Sequence, residues 1–560
     1  MRFLARLTSR ALTLRLTTAV ALAALAALVA AGALLSFRPS QAAHAATTRA
    51  AAGTLAPVAV ADPLHPTTTQ DTSAGAPLPR GARPTRPSHA ANTRAAPRGG
   101  SVASAVTTQS SVLLSNFNGV SSHDSAVTNF GLEFEPPDQG LCVGNGFVVE
   151  PVNSAFTIYR TNGSVVTGPF NVNVLYSEGN IQFTSDPRCY FDPTTNTWFA
   201  IILFLNKHGT SSHTDLAVNT SGDPTTPWTD YQILTTDDGT HGQPNNPGCP
   251  CFGDQPLLGI DGQNIYISTN EFSILGPQFN GAQIYVVSKA DLVAKHPSVH
   301  FVHFANLTIG GAQAASVQPA ITTGPADAEY FLSSLDPNGT GDTHLGVWAM
   351  TNRDAVAAGG VPTLSRIVIS SEAYSIPPGA VQQGSTSLLD TGDDRMQQAQ
   401  FIDGALWGAL DTAFGSTPVS ALAWFKVVPH LQGQTIGSAT LAAQGYLSSA
   451  GNYLLYPAIQ VDAAGNAGMV FTISGPTLFP SAAYALRPSG QASFGAITTA
   501  ASGTGPYSPS STRWGDYSWA ILDPAHDSFW FATEYIPPVA SQTVDGLQNW
   551  GTRVLEVSAS

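Results

Sequence analysis

A strand–turn–strand pattern recurs seven times between residues 111 and 560, and it restricts the fold more than any other feature. Each repeat runs from a polar or Pro-containing step into a short strand, turns at Asp, Asn or Gly, and continues into a stronger strand. The turns lie at 145, 192, 261, 324, 403, 462 and 523, at intervals of 47 to 79 residues. Self-similarity at this period is typical of propeller repeats.

The pattern predicts an all-β fold, a β-propeller of seven four-stranded blades that covers residues 111–560. Short aromatic and β-branched runs between Gly, Pro, Asn and Asp turns are typical of strands. The last repeat ends at its third strand, so Ser111–Leu114 is the expected outer strand that closes the ring and removes an exposed edge. Six or eight blades and a pair of β-sandwich domains are the alternatives, because the fourth repeat is weakly marked.

The chain before the repeats divides into two segments. Residues 1–45 combine an Arg-rich start, an apolar stretch from about Ala19 to Leu35 and the small-residue site Ala43-His44-Ala45, which predicts an export signal. The apolar stretch is also long enough for an uncleaved membrane anchor. Residues 46–110 consist mainly of Ala, Thr, Pro, Arg and Ser, which predicts a disordered linker because little apolar area can be buried.

Charge separates the two parts of the chain. The first 110 residues hold 11 of the 23 Lys and Arg but only 2 of the 37 Asp and Glu, which leaves 12 basic and 35 acidic residues after residue 110. A body this acidic argues against a nucleic-acid partner, because phosphate contacts require Lys and Arg. Solubility outside the cell and cation binding are both compatible with it.

The four cysteines fit the repeat register. Cys142 and Cys189 lie three residues before their turns, at equivalent points of the first two repeats, and this predicts a disulfide between neighbouring blades. Cys249 and Cys251 would then pair within their loop or stay reduced.

The sequence resembles a group of secreted bacterial propeller proteins of uncertain function that are distantly similar to the sialidase superfamily. The segments that carry the resemblance are Ser185–Asp192 with Trp198-Phe199, Gly253–Pro256 with Thr269–Phe272, and Arg513–Ser518 with Phe529-Trp530 and Glu534-Tyr535. The Ser-x-Asp-x-Gly-x-Thr-Trp box of true sialidases is absent, and no arginine triad is assigned. The resemblance therefore implies the fold and does not carry sialidase chemistry.

One face of such a propeller collects the chemistry-bearing residues. The starts of the first strands and the ends of the second strands meet there, because the two strands are antiparallel. The predicted ligand-binding residues at this face, around the mouth of a central channel, are Asp138, Asp186, Arg188, Arg395, Arg513 and Tyr517. The candidate catalytic pairs are Asp254 with Glu271 and Asp516 with Glu534.

Three interpretations of these carboxylates remain open. Asp side chains at strand starts can bind neighbouring backbone N–H groups and hold blade to blade, which is a purely structural role. Hard oxygen ligands would also suit a structural Ca²⁺ ion, although no EF-hand spacing is present. Paired carboxylates would further suit glycoside hydrolysis.

The sequence thus predicts an extracellular or surface-held binding or scaffold module, with a glycan or another surface ligand bound at the acidic channel face. A carbohydrate-active enzyme is the alternative. We expect a monomer that meets a membrane only through an uncleaved N-terminal segment. A serine hydrolase and a zinc protease are disfavoured, because the sequence lacks a Gly-x-Ser-x-Gly elbow and a His-Glu-x-x-His motif.

Overall fold

Strands make up most of the described chain. The computed structural model describes residues 49–65, 111–129, 134–179, 182–206, 208–336, 339–507, 513–523, 525–538 and 549–559. The predicted export signal, residues 46–48 and residues 66–110 lie outside this range. The described elements before the first repeat are β1 (Arg49–Leu55), β2 (Pro57–Ala61), β3 (Ser111–Ser121) and helix α1 (Ser122–Thr128).

The first three repeats are four-stranded antiparallel meanders. Repeat 1 consists of β4 (Cys142–Gly144), β5 (Phe147–Pro151), β6 (Ala155–Arg160) and β7 (Val165–Asn171), followed by a 3₁₀-helix (Val172–Tyr176). Repeat 2 consists of β8 (Phe183–Asp192), β9 (Thr197–Leu205), β10 (Ser212–Asn219) and β11 (Trp228–Leu234). Repeat 3 consists of β12 (Cys251–Ile260), β13 (Asn264–Ser273), β14 (Phe279–Ser288), helix α2 (Lys289–Val293) and β15 (Val299–Ala305).

A small hairpin, β16 (Thr308–Ile309) and β17 (Ala312–Gln313), leads into the fourth repeat. Repeat 4 consists of β18 (Gln318–Thr323), β19 (Glu329–Ser334), β20 (Asp342–Thr351), a 3₁₀-helix (Arg353–Ala355) and β21 (Thr363–Tyr374). Repeat 5 consists of β22 (Met396–Ile402), β23 (Ala405–Phe414), β24 (Val419–Gln432) and β25 (Thr435–Leu447). Repeat 6 consists of β26 (Tyr453–Val461), β27 (Ala467–Gly475), β28 (Leu478–Arg487) and β29 (Thr498–Ala501).

Repeat 7 combines the two ends of the body. Its strands along the chain are β30 (Trp519–Asp523), β31 (Ser528–Tyr535) and β32 (Gly551–Ala559). Strand β3 adds to the last of these as the fourth strand, with Ser111 opposite Ala559 and Phe117 opposite Val554. The predicted pairing of the segment at residue 111 with the C-terminal strand is therefore confirmed.

The first strands of successive repeats lie next to one another. Those of repeats 3, 4 and 5 pair in parallel, with Ile260 opposite Ile321 and Ala320 opposite Ala399. Strand β8 contacts both β4 and β12, strand β26 contacts both β22 and β30, and β30 contacts β4. The contacts thus return from the seventh repeat to the first, while the described strands form separate sheets rather than one closed sheet.

The second strands are buried on both faces, which is why they lack an alternating pattern. All residues of β9, β27 and β31 are buried. A strand that is covered on both sides by neighbouring sheets has a continuous run of apolar residues in its sequence. All nine tryptophans are buried in this packing, among them Trp198, Trp514 and Trp530, which the repeat register assigns to contacts between blades.

The prediction of a disordered linker over 46–110 is wrong for residues 49–61. Strand β1 pairs with β15 along its whole length, and β2 pairs with β11, so each adds a fifth strand to a repeat. Most side chains of these two strands are exposed. Edge pairing depends mainly on backbone N–H and C=O groups, so an Ala-rich segment with little apolar area to bury can still form a strand.

A buried carboxyl group joins β3 to repeats 1 and 7. Glu150 Oε2 accepts a hydrogen bond from the Val120 backbone N–H at 2.9 Å, and Glu150 Oε1 lies 2.5 Å from Thr552 Oγ1. The Thr552 hydroxyl also donates to Val120 O at 3.0 Å, and it has only one proton. When Glu150 is neutral it can donate to Thr552 Oγ1 instead, which leaves the Thr552 proton for Val120 O. Burial favours this neutral form and raises the pKa of Glu150 to about 7, although the hydrogen bonds from Thr552 and Val120 oppose the rise.

Gly119 allows this close approach. A Cβ atom at residue 119 would lie 2.3 Å from both Glu150 Oε2 and Thr552 Oγ1, so a larger residue would displace the carboxyl group.

Both disulfides are formed within the described chain. Cys142 and Cys189 are bonded with their Cα atoms 5.4 Å apart, which confirms the predicted link between repeats 1 and 2. Cys249 and Cys251 pair within their own loop.

Replacing Cys142 and Cys189 together by Ala is expected to lower the free energy of unfolding by about 4 kcal/mol, because the bond closes a loop of 47 residues. Replacing Cys249 and Cys251 in the same way is expected to cost about 1 kcal/mol, because that loop spans two residues. Denaturant unfolding of the exported protein measures both values. Equal costs would show that loop closure is not the source of the stabilisation.

Replacing Glu150 by Gln is expected to remove one component of the pH dependence of stability. In the unfolded chain Glu150 loses its proton near its ordinary pKa of 4.5, whereas in the fold it keeps the proton until about pH 7. The stabilisation is therefore fully present below about pH 4.5 and decreases by up to about 3 kcal/mol as pH rises to about 7. Gln can make the same two hydrogen bonds without a proton that titrates.

The difference in unfolding free energy between wild type and Glu150→Gln, measured from pH 4.5 to pH 8, isolates this group from the other buried acids. The free energy of unfolding of the variant should increase relative to that of the wild type as pH rises. A constant difference across this range would contradict a protonated Glu150.

Candidate functional site

The first strands share a backbone kink near one end. In each of the seven repeats one residue just before or within the first strand has a positive φ angle: Asp138, Asp186, Gln255, Ser316, Gly392, Tyr456 and Gly515. The strand ladder shifts register at the same point in repeats 2, 3 and 6. This left-handed conformation costs energy for residues other than Gly, and such strain is concentrated at functional sites.

Three kinked strand starts bring carboxylates together. Oxygen atoms of Asp138, Asp186 and Asp516 all lie within 4.8 Å of one another. Asn153, at the end of the second strand of repeat 1, donates to Asp138 Oδ2 at 2.7 Å and accepts from the Asp186 N–H at 2.6 Å. The structure thus joins repeats 1, 2 and 7 at the place where the antiparallel rule predicts a shared face.

Arg188 lies beside this group and is fully buried. Its guanidinium lies 3.4 Å from the centre of the Tyr517 ring and 4.7 Å from that of Trp519. The Tyr517 hydroxyl donates to Pro187 O at 3.0 Å. Burial lowers the pKa of Arg188 from its ordinary value, and the nearby carboxylates oppose this change. A buried cation between aromatic rings and carboxylates holds repeat 2 to repeat 7.

Glu534, at the end of the second strand of repeat 7, is also buried. Burial raises its pKa well above the ordinary value, and the charges of Asp138, Glu135 and Asp516 raise it further. Gly515 leaves space for the Tyr456 ring, since a Cβ atom at residue 515 would lie 2.9 Å from Tyr456 Cδ2. Burial therefore favours the neutral form of Glu534, and Asp516 is among the charges that act on it.

Solvent reaches the outer edge of the same group. The Arg513 guanidinium lies 2.5 Å from Asp516 Oδ2 and 3.8 Å from Asp390 Oδ2. The exposed fractions of these three side chains are 34%, 21% and 33%. Tyr456, buried behind them, has its pKa raised first by burial and then by Asp390 and Asp516. We call Asp390, Arg513 and Asp516 the mouth triad.

Two other predicted residues lie elsewhere on this face. Arg395 binds Asp393 Oδ1 through Nε at 2.7 Å and also contacts Gln255, so it bridges repeats 5 and 3. Asp254 is partly exposed and lies opposite Asn270 in the ladder. Glu271 lies opposite Gly253, so Asp254 and Glu271 point to opposite faces of the sheet.

Glu271 has a different carboxyl partner, Asp237. Burial raises the pKa of Asp237 to about 10, and hydrogen bonding to Glu271 with its charge adds to the shift. Asn246 donates to both oxygens of Glu271 at 3.0 Å, and Asn280 donates to Oε1 at 2.6 Å. Glu271 is thus held by amide donors beneath the Cys249–Cys251 loop, which is a structural arrangement.

Sequence reasoning missed Asp390, Tyr456 and Asp237. Asp390 and Asp237 lie in loops between repeats, where the repeat register predicts nothing. Tyr456 occupies a kinked strand start at which other repeats carry Asp, Gln, Ser or Gly, so residue type gave no signal. The acidic run that precedes Arg395, from Asp390 to Asp394, was the one available indication.

The group formed by Asp138, Asp186 and Asp516 has the spacing of metal ligands, but Arg188 lies beside it with a positive charge. A Ca²⁺ ion there would compete with the guanidinium for the same carboxylates, so these residues fit the ion poorly. The structural Ca²⁺ stays a prediction.

No family model matches the chain, and no curated protein matches it. Among solved structures, the chain is similar to an alpha-L-arabinofuranosidase of Fusarium graminearum, with 9% identity over 78% of this chain and 97% of the other and a TM-score of 0.33. It is similar to the Trypanosoma rangeli sialidase, with 10% identity over 75% and 58% and a TM-score of 0.33.

A further similar structure is the endosialidase of phage phi92, with 10% identity over 79% of this chain and 70% of the other and a TM-score of 0.32. At such TM-scores, the fold of this chain has to be judged from its own strand pairings.

Replacing Arg188 by Leu is expected to lower the free energy of unfolding by about 3–5 kcal/mol, because it leaves the carboxylates of Asp138 and Asp186 buried without their cation. Arg160→Leu is the matched control, because Arg160 is exposed and lies over the Phe147 ring at 4.1 Å. Denaturant unfolding at neutral pH measures both variants. A cost for Arg188→Leu no larger than for the control would show that the guanidinium does not hold the repeats together.

Proposed function

We propose that the seven repeats form a closed β-propeller, residues 111–560, that binds a glycan through the mouth triad at one end of its channel. The circuit of contacts between first strands supports the closed arrangement. Strand β3 supports it too, because a strand from the start of the body completes the last sheet and covers its edge.

The mouth triad is the observation that carries the ligand-binding role. A guanidinium flanked by two carboxylates, each about one fifth to one third exposed, presents donors and acceptors side by side. Sugar hydroxyl groups are both donors and acceptors, so they can bind either group. The deeper residues hold the triad in place, since Asp138, Asp186, Arg188 and Tyr517 are almost fully buried. These buried residues position the face, and the partly exposed mouth triad contacts the ligand.

The negative net charge of the body indicates which class of glycan it can bind. The body carries 35 acidic against 12 basic residues, and the triad itself holds two carboxylates and one guanidinium. A polyanionic saccharide would be repelled by this surface. A neutral saccharide, rich in hydroxyl groups, fits the triad best.

The buried acid Glu534 favours a second candidate, glycoside hydrolysis. A protonated carboxyl group beside a second carboxyl group is the pair that this reaction uses, one as acid and one as nucleophile or base. Glu534 supplies the proton in this scheme and Asp516 supplies the second carboxylate. Glu534 is 2% exposed, so the substrate would have to reach it through the rim.

An extracellular location fits the two disulfides, because such bonds persist in oxidising compartments. No helix in the described part of the chain is long and apolar enough to cross a membrane. Export through residues 1–45, membrane attachment only where that segment stays uncleaved, and a monomeric state are part of the proposal. The acidic body continues to argue against nucleic acid.

A glycan array of neutral and charged saccharides, probed with the exported protein, tests the binding role. Arg513→Gln and Asp516→Asn are each expected to weaken binding about 10- to 100-fold, because each removes charged hydrogen bonds to the sugar. Asp403→Asn is the matched control, since Asp403 is exposed in the turn after β22, where the first strand of repeat 5 ends. Loss of binding in the control, or retention in both triad variants, would contradict the proposal.

Hydrolysis of the saccharide that binds best separates the two candidates. Glu534→Gln is expected to abolish turnover and leave binding unchanged if Glu534 acts as the acid. Absence of turnover in the wild type, with binding intact, would leave the recognition role alone. Circular dichroism of each variant verifies the fold.

A further inference from the structure

A second cluster of ionisable side chains lies away from the channel mouth, on the outer strands of repeat 2. His213 and Asp215 lie on one face of β10, and Asp230 lies on the same face of the neighbouring strand β11, where it is opposite Ala217. Glu178 reaches this face from the loop two residues after the 3₁₀-helix that ends repeat 1. The cluster therefore joins two repeats, and none of its members belongs to the proposed glycan site.

The ligand atoms already have the spacing of a coordination shell. His213 Nε2 lies 3.2 Å from Glu178 Oε1 and 3.1 Å from Asp215 Oδ1, and these three atoms fall within 4.8 Å of one another. Two ligands that bind one zinc ion tetrahedrally at about 2.1 Å are separated by about 3.4 Å. Stacking on Phe204, with ring centres 4.1 Å apart, sets the plane of the imidazole.

The buried carboxyl groups of Asp215 and Asp230 have few hydrogen-bond donors within the described chain. Asp215 and Asp230 are both 0% exposed. Asp230 Oδ1 accepts no hydrogen bond from any described residue, and Asp215 has only the ion pair with His213 besides its contact with Gln232. Buried polar atoms in native proteins are almost always satisfied, so these oxygens point to a partner that the polypeptide does not supply.

The charge balance points to a cation. Three carboxyl groups, those of Glu178, Asp215 and Asp230, lie around the single imidazole of His213. The cluster therefore holds more acidic groups than it has cationic partners, and a divalent cation would balance them.

Neighbouring side chains hold the proposed ligands from behind. Ser177 Oγ donates to Asp230 Oδ2 at 2.5 Å, and Gln232 Nε2 donates to Glu178 Oε1 at 3.1 Å. Such contacts orient ligands in metal sites. One imidazole nitrogen together with carboxylate oxygens suits Zn²⁺ and disfavours Ca²⁺ and Mg²⁺, which prefer oxygen alone.

We propose that Glu178, His213 and Asp215, with the buried Asp230 on the same face, form a structural zinc site that fastens the connection after repeat 1 to the outer strands of repeat 2. The ion would act in addition to the Cys142–Cys189 disulfide, which joins the inner strands of the same two repeats.

Titration of the chelator-treated, full-length protein with ZnCl₂ tests the site. We expect one tightly bound equivalent and a rise in melting temperature of about 3 °C at a Zn²⁺ concentration 100-fold above the dissociation constant. CoCl₂ should give the visible absorption of four-coordinate Co²⁺. Binding of Ca²⁺ in preference to Zn²⁺, or no bound equivalent, would overturn the proposal.

His213→Gln and Asp215→Asn should each weaken Zn²⁺ binding at least 30-fold and remove the thermal shift. Glu178→Gln is a third variant at a more exposed position, where misfolding is the smaller concern. Asp342→Asn is the control, because Asp342 pairs with an exposed imidazole, His344, at 2.8 Å. Unchanged Zn²⁺ binding in the three site variants, or equal loss in the control, would place the ion elsewhere.

Discussion

The pairing of β3 with β32 is the constraint on which the rest of the structure depends. It brings residue 111 next to residue 559, so the last sheet is complete only when the two ends of the body have met. Glu150 then connects this strand pair to repeat 1 through Val120 and Thr552. Because burial raises the pKa of this carboxyl group to about 7, the contact adds no charge to the interior at lower pH.

The same meeting of repeats 7, 1 and 2 builds the group of charges around Arg188. Arg188 from repeat 2 stacks on Tyr517 from repeat 7, and Gln139 from repeat 1 donates to Tyr517 O at 2.8 Å. The inner members of this group are buried, whereas Arg513, Asp516 and Asp390 are partly exposed to solvent. Charged groups that are removed from water must pair with one another, which is why neighbouring repeats supply the members of the group.

Much of the fold was accessible to sequence reasoning because it repeats. The turn spacing predicted seven units, the equivalent positions of Cys142 and Cys189 predicted their bond, and the incomplete last repeat predicted the pairing of Ser111–Leu114. Local pattern could not reveal strands β1 and β2, because backbone groups at a sheet edge accept an Ala-rich partner that has no apolar pattern. The antiparallel rule grouped Asp138, Asp186 and Asp516 but also paired Asp254 with Glu271, which the ladder places on opposite faces.

The sequence by itself determined the strand class, the number of repeating units, the acidic character of the body and the residues that begin each first strand. These properties depend on spacing and composition, which are local. Only the tertiary structure decided that Arg188 and Glu534 are buried, that Asn246 and Asn280 bind Glu271, and that Glu178 meets His213 and Asp215. Burial and charge interactions depend on distances between residues far apart in the chain, and folding alone sets those distances.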